Sequence, residues 1–406
     1  MSTDAHPGHR TVAGREREAL AVAPAWVQPI RWAAMSTVSA YYRLPYRIRG
    51  WGSLPRARGP ALVVANHQHE IESAVIVSDL GLGSGSWRYP IFTVSSRRMW
   101  EPGFLAARLP WLVPLRAVNL GPLFGILGMQ PIENELHARP FVSIAYALFR
   151  RHGDLPLELV FKERALERLS RAPQTLGGFL GPDYFHAGQT TVTLSDVLDP
   201  YRKEMLEITR SELEADIAHF ENLQRAGATI FLTPEGNYSG DGKMQRLRGI
   251  LSRLAPHARI WLVGISYDPF VGRRLSMLYR VAPAANDVPL DVQIKRTRPV
   301  TVSALLSHWI RTSGVQACTR GDAEDAVRRG LDALPASLFV DPELRANPSR
   351  MVGAALRGMM RCGGLRRDGS AFRFAERAPH PGFPRTSDML AYQQNFHQET
   401  LEGAAG

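Results

Sequence analysis

The sequence has little of the residues and segments that mark several large classes of protein. It contains two cysteines in 406 residues, Cys318 and Cys362, too few for a disulfide framework and without the spacing of a metal site. No run of about 18 uncharged apolar residues occurs, so a membrane-spanning helix is not expected. Residues 1–17 are polar and charged, without the apolar core of a signal peptide. These absences predict a cytosolic protein whose first residues are disordered.

Lysine is also scarce, yet the chain is strongly basic. Its only lysines are at positions 162, 203, 243 and 295, while the formal net charge is +11, so arginine carries most of the positive charge. An excess of positive charge favours an anionic partner. The signals of nucleic-acid binding, such as zinc-finger spacing, an RNP pattern or a basic helical arm, are missing. The expected partner is therefore an anionic membrane surface and not nucleic acid.

Residues 18–50 combine aromatic side chains with arginines, as in Trp32, Tyr42 and Arg43. This mixture is typical of an amphipathic helix that lies in the membrane interface. A helix that packs on the protein core is the alternative. The segment predicts peripheral attachment to the cytoplasmic side of the cell membrane.

The most informative feature is a histidine and a carboxylate that follow an apolar run. Residues 61–65 predict a buried parallel strand, and residues 70–80 predict the helix after it. Asn66, His67 and Glu72 fall at this junction, where parallel α/β proteins place their chemistry. If Glu72 takes the first helical turn, its carboxylate reaches an imidazole nitrogen of His67. The pair then forms an oriented general base, with Glu72 fixing the tautomer and His67 taking the proton.

A second strand end carries a turn and clustered cations. Residues 228–233 predict another buried strand, which leads into a Pro-Glu-Gly turn and then into several basic residues. A turn of this kind beside cations suits an anionic head group. The residues expected to bind substrate are Asn66, Pro234, Glu235, Gly236, Asn237, Lys243, Arg246 and Arg248.

The order of these motifs resembles the glycerophospholipid acyltransferase family, the 1-acylglycerol-3-phosphate acyltransferase-like proteins. That family carries Asn-His-x-x-x-x-Asp, then Gly-x-x-x-x-Arg, then Phe-Pro-Glu-Gly-Thr-Arg-Ser, then a strand with Val-Pro. The matching blocks here are residues 66–72, 128–134, 233–239 and 262–265. The resemblance covers roughly residues 35–135 and 225–285.

Three positions that are charged in the family carry a different residue here. Glu72 stands where the family has aspartate, which keeps the charge and adds a methylene. Asn134 and Tyr238 stand where the family has arginines, and the second of these arginines belongs to the phosphate-binding block. The loss of both cations favours an acceptor other than glycerol phosphate over a loss of catalysis.

The resemblance implies an O-acyltransferase. It would move a fatty acyl group from acyl-CoA or acyl-ACP to a hydroxyl of a (lyso)phospholipid or related lipid, with His67 as general base. Backbone amides at the start of the helix after His67 are expected to stabilise the oxyanion. No metal or cofactor is implied beyond the acyl thioester, which is a co-substrate.

The expected fold is α/β, with a mixed, largely parallel sheet flanked by helices, a helical insertion and a C-terminal extension. Strands are expected near residues 61–65, 89–94, 228–233 and 260–266. The acyltransferase domain is expected at 51–285, with the insertion at 135–226 and its charged helices at 156–170 and 202–225. The C-terminal extension, 286–406, has no interpretable role, with helices near 322–333 and 349–361 and loose order from about 378.

Two other functions remain open from the residues. A non-catalytic lipid-binding relative would keep the fold and lose the chemistry, as the departures at Glu72, Asn134 and Tyr238 allow. A metal-dependent hydrolase would use His67 and His69, with Asp268 as a further ligand. Ser266 follows a strand glycine, but the second glycine of a nucleophile elbow is replaced by Asp268.

Overall fold

A computed structural model describes residues 26–54, 59–83, 91–133, 137–238 and 240–405. The strands are β1 (Tyr46–Trp51), β2 (Ala61–Ala65), β3 (Ile91–Ser96), β4 (Met129–Ile132), β5 (Ala138–Pro140), β6 (Thr191–Thr193), β7 (Thr229–Leu232), β8 (Arg259–Asp268), β9 (Leu275–Pro283), β10 (Ala317–Cys318), β11 (Leu365–Asp368) and β12 (Ala371–Phe374).

The α-helices are α1 (Val27–Arg43), α2 (Glu72–Gly83), α3 (Phe104–Arg108), α4 (Gly121–Ile126), α5 (Phe141–His152), α6 (Glu163–Leu166), α7 (Tyr201–Arg225), α8 (Ile250–Leu254), α9 (Leu290–Thr297), α10 (Val302–Ser313), α11 (Arg320–Asp332), α12 (Pro342–Ala346), α13 (Pro348–Arg361) and α14 (Met389–Ala405). Short 3-10 turns lie at Arg97–Trp100, Pro110–Leu115, Leu157–Leu159, Leu176–Leu180, Ala187–Gln189, Leu194–Asp196 and Ala255–His257.

The chain forms two compact units. Residues 92–223 form one, here called the insertion unit, and residues 26–91 with 224–405 form the other, here called the motif unit. The insertion unit begins earlier than the insertion expected at 135–226. The motif unit takes in most of the C-terminal extension, so both predicted strand ends and that extension belong to one packed body.

The motif unit is built on five strands in the order β1-β9-β8-β2-β7. Strand β2 pairs in parallel with β7 and β8, β1 pairs in parallel with β9, and β8 and β9 are antiparallel. Four of the five β2 residues are fully buried, because helices cover both faces of such a sheet. The prediction of an α/β fold with a mixed, largely parallel sheet flanked by helices is confirmed.

The predicted strands lie close to the observed ones. Strand β2 spans the predicted residues 61–65, and β7 and β8 differ from their predicted bounds by one or two residues. Of the strand expected at 89–94, the first two residues lie outside the described residues, and β3 begins at Ile91. Helix α2 begins at Glu72 itself, which places this residue in the first turn as expected.

The N-terminal segment is a helix followed by a strand. Helix α1 buries Val27 and packs on α2, so the alternative of a core-packed helix describes one of its faces. The expected segment ran to residue 50, and this boundary is wrong, because Tyr46–Trp51 forms β1 and pairs with β9. Residues 18–25 lie outside the described residues. No helix in the described ranges is both long and apolar enough to cross a bilayer.

The insertion unit has its own core, formed around α5 by aromatic side chains such as Phe141, Phe161 and Phe179. The long helix expected at 202–225 is confirmed as α7. The helix expected at 156–170 is wrong, because this stretch forms only the turn Leu157–Leu159 and the one-turn helix α6.

The sequence of residues 104–129 is apolar but interrupted by prolines and arginines, a pattern that suits an acyl-tunnel wall, a membrane-facing surface or a buried helix pair. The stretch folds into α3, a 3-10 turn and α4, all short because prolines interrupt it. The buried pair is wrong, since large apolar side chains there are exposed. They are Leu109, Trp111, Leu115, Val118, Leu123 and Ile126.

The C-terminal extension is ordered far beyond residue 378. Helices α11 and α13 match the two helices predicted there. The loose order expected from about 378 is wrong for α14, which buries Met389, Tyr392 and Phe396 and packs on α9 and α10. These three apolar residues recur at helical spacing, a signal that the preceding proline-rich stretch obscured.

Candidate functional site

The candidate site lies where β2 and β7 end. The two strands are parallel neighbours, so their carboxyl ends share one edge of the sheet, the usual place for a site in this fold class. Asn66 and His67 follow β2, and Pro234 and Glu235 follow β7. The structure therefore brings the two predicted motifs together.

His67 and Glu72 form the predicted pair. His67 Nδ1 lies 2.8 Å from Glu72 Oε2. The Glu72 carboxylate also accepts the backbone N–H of Gln68 at 3.0 Å and of His69 at 3.1 Å. It is fully buried, whereas the His67 side chain is 13% exposed. The loop thus wraps tightly around one carboxylate and leaves the imidazole at the surface of the site.

This geometry assigns the tautomer of His67. An ionised carboxylate only accepts hydrogen bonds, so Nδ1 donates and carries the proton, and Nε2 of the neutral ring keeps its lone pair. Nε2 has no hydrogen-bond partner among the described residues. A histidine held in this tautomer by a buried carboxylate is arranged to accept a proton at Nε2.

The same hydrogen bonds bear on the expected oxyanion donors. Backbone amides at the start of the helix after His67 were expected to stabilise an oxyanion, and this stays a prediction; the amides of Gln68 and His69, which precede α2, donate to Glu72. They satisfy the orphan N–H groups that precede α2, as a capping side chain does. These two amides are therefore structural donors.

Asn66 ties the site loop to the neighbouring strand. Its Oδ1 accepts the Ile265 N–H at 2.7 Å, and its Nδ2 donates to the Ile265 carbonyl at 3.1 Å. Gln68 Nε2 donates to the same carbonyl. Asn66 is almost fully buried and holds the His67 loop against β8. Its expected contact with substrate stays a prediction.

Glu235 joins the two motif loops. Its Oε1 accepts the His67 N–H at 2.6 Å, and its Oε2 accepts the Gln245 N–H at 2.6 Å. Burial raises the pKa of its carboxyl to about 7, although the two backbone donors and the nearby Arg298 act in the opposite direction. Glu235 therefore positions the backbone of His67.

The turn after Glu235 depends on a glycine. Gly236 has φ +73°, and a Cβ there would lie 2.2 Å from Arg248 Nε. Arg248 donates from Nε to the Glu235 carbonyl at 3.2 Å and from its backbone N–H to the Pro234 carbonyl at 2.9 Å. Arg248 thus bonds to two backbone carbonyls of the turn. The positive φ at position 236 and the close approach of the Arg248 side chain favour glycine there.

The other expected binding residues lie further out. Asn237, Lys243 and Arg246 are exposed, and the backbone N–H of Lys243 donates to Asp241. Their contact with substrate stays a prediction. Asn134 lies outside the described residues.

Sequence reasoning missed the residues that the C-terminal extension contributes. Glu399 of α14 accepts the Met244 N–H at 2.9 Å and is itself held by the buried Arg298 at 3.1 Å. Met244 directly precedes Gln245, which bonds Glu235. Helix α14 therefore fixes the loop that supports the second motif, a contact between distant parts of the chain that no local pattern signals.

His69 and Tyr238 were also assigned no role in binding. The Tyr238 ring lies edge-on to His67, with centroids 5.2 Å apart, and stacks on His69 at 6.3 Å. His69 Nε2 lies 3.0 Å from the Gly382 carbonyl. His69 thus connects the first motif to residues of the C-terminal extension.

The two hydrolase alternatives find little support in this geometry. The described residues contain no group of three histidine, cysteine or acidic side chains placed to hold a metal. His67 Nδ1 faces Glu72, and His69 Nε2 faces a carbonyl. Ser266 is fully buried within β8, away from any surface where a nucleophile would meet substrate.

Asp268 ends β8 as a fully buried carboxyl. Ser303 donates to its Oδ1, while its Oδ2 has no partner among the described residues. Burial raises the pKa of Asp268 from 3.8 to about 7; nearby Asp341 adds to this and Arg49 opposes it. Its ionisation therefore destabilises the fold.

We expect Asp268→Asn to remove a pH dependence of stability. The unfolded carboxyl ionises near its ordinary pKa and the folded one near 7, so wild-type stability falls as pH rises through this window. The difference corresponds to roughly 4 kcal/mol at most. Urea unfolding at about pH 4.5 and about pH 8 should show the variant gaining on the wild type at the higher pH. The exposed Asp287→Asn serves as control, and parallel curves for Asp268→Asn and wild type would contradict the prediction.

No protein-family model matches the chain, and a search of curated proteins returned no match.

Proposed function

We propose that this protein is an O-acyltransferase that transfers a fatty acyl group from acyl-CoA or acyl-ACP to a hydroxyl of a (lyso)phospholipid or related lipid. The observation that carries the proposal is the His67–Glu72 pair, with its 2.8 Å contact and a partly exposed imidazole. It stands at the shared edge of β2 and β7, beside the Pro-Glu-Gly turn. The order of these blocks is the one that resembles the glycerophospholipid acyltransferases.

The proposed chemistry needs only this chain and its two substrates. His67 Nε2 takes the proton of the acceptor hydroxyl as its oxygen attacks the thioester carbonyl carbon. The tetrahedral intermediate collapses, the carbon–sulfur bond breaks, and the leaving thiolate takes the proton from His67. Glu72 stabilises the imidazolium that exists between the two proton transfers. General-base catalysis of this kind contributes about 10²–10⁴-fold.

The surroundings of Glu72 favour catalysis over a non-catalytic lipid-binding relative. Glu72 sits fully buried at the centre of three N–H donors, one of them the imidazole. Burying a carboxylate is costly unless it is fully hydrogen-bonded, and a protein that only bound lipid would not need a histidine as one of the donors. Glu72 is one methylene longer than the aspartate of the family, and it still contacts His67 as catalysis requires.

The test is an acyl-transfer assay on the full chain. Release of free thiol from palmitoyl-CoA and from palmitoyl-ACP is measured with and without lysophospholipid acceptors, and the products are identified by mass spectrometry. The proposal predicts thiol release that depends on acceptor. Thiol release without acceptor would indicate a thioesterase, and lipid binding without any thiol release would support the non-catalytic alternative.

A peripheral membrane location is part of the proposal, because the substrates are amphiphiles. Helix α1 supports it: Trp26, Ile30 and Tyr41 are exposed, and their spacing of four and eleven residues places them on one helix face. The residues that α1 buries, Val27, Arg31 and Ser39, lie elsewhere around the helix. With the net charge of +11, the exposed face suits an anionic bilayer surface.

Replacing Ile30 and Tyr41 together by serine is expected to weaken membrane binding. Two apolar side chains contribute about 1.5–3 kcal/mol each when fully buried, so binding should fall at least about tenfold. Co-sedimentation with vesicles of phosphatidylcholine and phosphatidylglycerol measures it. Trp32→Ser is the matched control, because Trp32 is also exposed but lies roughly 200° around the helix from Ile30. Equal binding of the double variant and this control would reject α1 as the anchor.

A further inference from the structure

A pocket opens beside the His67 loop and is walled by three segments of the motif unit that lie far apart in the chain. Gln68, His69 and Glu70 line it from the first motif and Tyr238 from the second. Residues 383–386 of the C-terminal extension form the remaining wall. Its cavity volume is about 50 Å³, and it widens into open solvent. Since the Tyr238 ring also contacts His67, the pocket adjoins the proposed general base.

The C-terminal wall is firmly anchored. Phe383 is buried and packs edge-on against His69 and Tyr267, with ring centroids 5.6 Å and 5.2 Å away. His69 Nε2 lies 3.0 Å from the Gly382 carbonyl, and His380 Nε2 lies 3.1 Å from the Pro269 carbonyl. These contacts hold the neighbouring residues 384–386 in place at the mouth of the pocket.

Arg385 brings a cation to this wall. Its guanidinium carbon lies 4.4 Å from the centre of the Tyr238 ring, within the range of a cation–π interaction. Within the described part of the chain, no carboxylate forms an ion pair with it. Arg49 and Arg298, by contrast, are paired with Asp341 and Glu399. The N–H donors of Arg385 therefore stay available for an anion.

Arg385 lies beside a position at which the resembling family has a cation and this sequence does not. Tyr238 stands in the Pro-Glu-Gly block where the resembling family carries an arginine. In the structure the ring of Tyr238 supports a guanidinium that arrives from the C-terminal extension instead. The cation is thus restored from elsewhere in the chain, at the turn that follows β7.

Among the described residues that line the pocket, Arg385 is the one lysine or arginine. A guanidinium binds a phosphate or carboxylate oxygen well, and it compensates one negative charge. A phosphate monoester carries about −1.5 to −2 at pH 7, whereas a phosphodiester carries a single charge. The single guanidinium therefore suits the diester better.

We propose that Arg385 binds the phosphodiester of the acceptor, so that the acceptor is a lysophospholipid with a singly charged head group. The C-terminal extension is then a part of the acceptor site. The inference rests on acyl transfer at His67 for the role of the bound lipid as acceptor, while the binding itself is independent of catalysis.

The kinetic test compares Arg385→Gln with the wild type on three acceptors: lysophosphatidylglycerol, lysophosphatidic acid and neutral monoacylglycerol. The wild type should prefer the first. Loss of a charged hydrogen bond, about 1.5–3 kcal/mol, should raise KM for lysophosphatidylglycerol at least about tenfold, with kcat and the KM for monoacylglycerol changed little. Arg385→Lys should be intermediate. Arg377→Gln is the matched control, since Arg377 is exposed in the same extension and does not line the pocket.

A second variant tests whether the charge of the pocket selects a singly charged head group. Pro384→Lys, which adds a cation at an exposed residue that lines the pocket, should raise kcat/KM for lysophosphatidic acid relative to lysophosphatidylglycerol. An unchanged ratio, or an equal KM for Arg385→Gln and wild type, would overturn the proposal. Thermal melting of each variant separates these effects from misfolding. Arg385→Gln is expected to fold, because Arg385 is exposed and forms no ion pair within the described residues.

A binding measurement separates this proposal from the proposed function. Calorimetric titration of short-chain lysophosphatidylglycerol into His67→Ala should show binding, and into His67→Ala/Arg385→Gln at least about tenfold weaker binding. If the wild type transfers no acyl group but this difference holds, the proposed function fails and the subsite stands. If transfer is observed and the two proteins bind equally, the subsite fails alone.

Discussion

His67→Ala is expected to lower acyl transfer by about 10²–10⁴-fold, the contribution of a positioned general base. The ring supplies a basic nitrogen at the edge of β2 and β7, since Nε2 has no hydrogen-bond partner in the described residues and Nδ1 contacts Glu72. The fold should persist, because the imidazole is partly exposed and Glu72 keeps the N–H donors of Gln68 and His69. Initial rates of thiol release and thermal melting of the same preparations measure both effects.

His257→Ala is the control for this variant, since His257 is exposed in the same unit and remote from the motif loops. It should keep wild-type rates. If His67→Ala retained activity within tenfold of the wild type, His67 would not be the general base. If its melting temperature collapsed, the loss of activity would report misfolding, and His67→Gln would be needed to preserve a donor to Glu72.

Glu72→Gln is expected to cost nearly as much activity as loss of His67. The carboxylate accepts three N–H groups, from Gln68, His69 and the His67 ring. A glutamine amide accepts hydrogen bonds only at its oxygen and brings two donors of its own. At least one of the three N–H groups therefore loses its acceptor. The Nδ1–H tautomer of His67 is then no longer favoured by a carboxylate. A lost buried acceptor should also lower the free energy of unfolding by about 1–3 kcal/mol.

The tautomer gives this prediction a readout that a purely structural role would not move. Nitrogen NMR of labelled histidine should show Nδ1–H for His67 in the wild type and a shift towards Nε2–H in Glu72→Gln. Glu72→Asp keeps the charge, so it should retain more activity than Glu72→Gln. Groups that act as a unit are non-additive, and the double variant His67→Ala/Glu72→Gln should be no slower than His67→Ala. A further loss in the double variant, or equal rates for Glu72→Gln and wild type, would contradict the pairing.

Supporting contacts from other segments of the chain hold the candidate site. Glu235 holds the His67 backbone, Gln245 holds Glu235, and Glu399 of α14 holds the adjacent Met244. Each link joins a different segment of the chain. The geometry of the His67–Glu72 pair therefore depends on the C-terminal helix as well as on the two motif loops.

The sequence by itself determined the strand ends and the residues that stand on them. Apolar runs at 61–65 and 228–233 predict buried strands because a parallel strand is covered on both faces, and β2 and β7 lie there. The contact between His67 and Glu72 was also predictable, since both belong to one loop and helix start and their distance depends on local geometry. The helix at 202–225 was predicted from apolar residues at helical spacing, and α7 lies there, whereas the N-terminal helix was expected from its mixture of aromatic side chains and arginines.

Only the tertiary structure decided what closes the site. Tyr46–Trp51 becomes a strand because β9 pairs with it, although its residues follow directly on a helix. Asn66 clamps β8, and Arg385 reaches Tyr238 from the other end of the unit. Such contacts join residues far apart in the chain, and each partner alone is an ordinary polar residue in a loop. Their pairing depends on strand order and helix packing, which leave no periodic or local signal in the sequence.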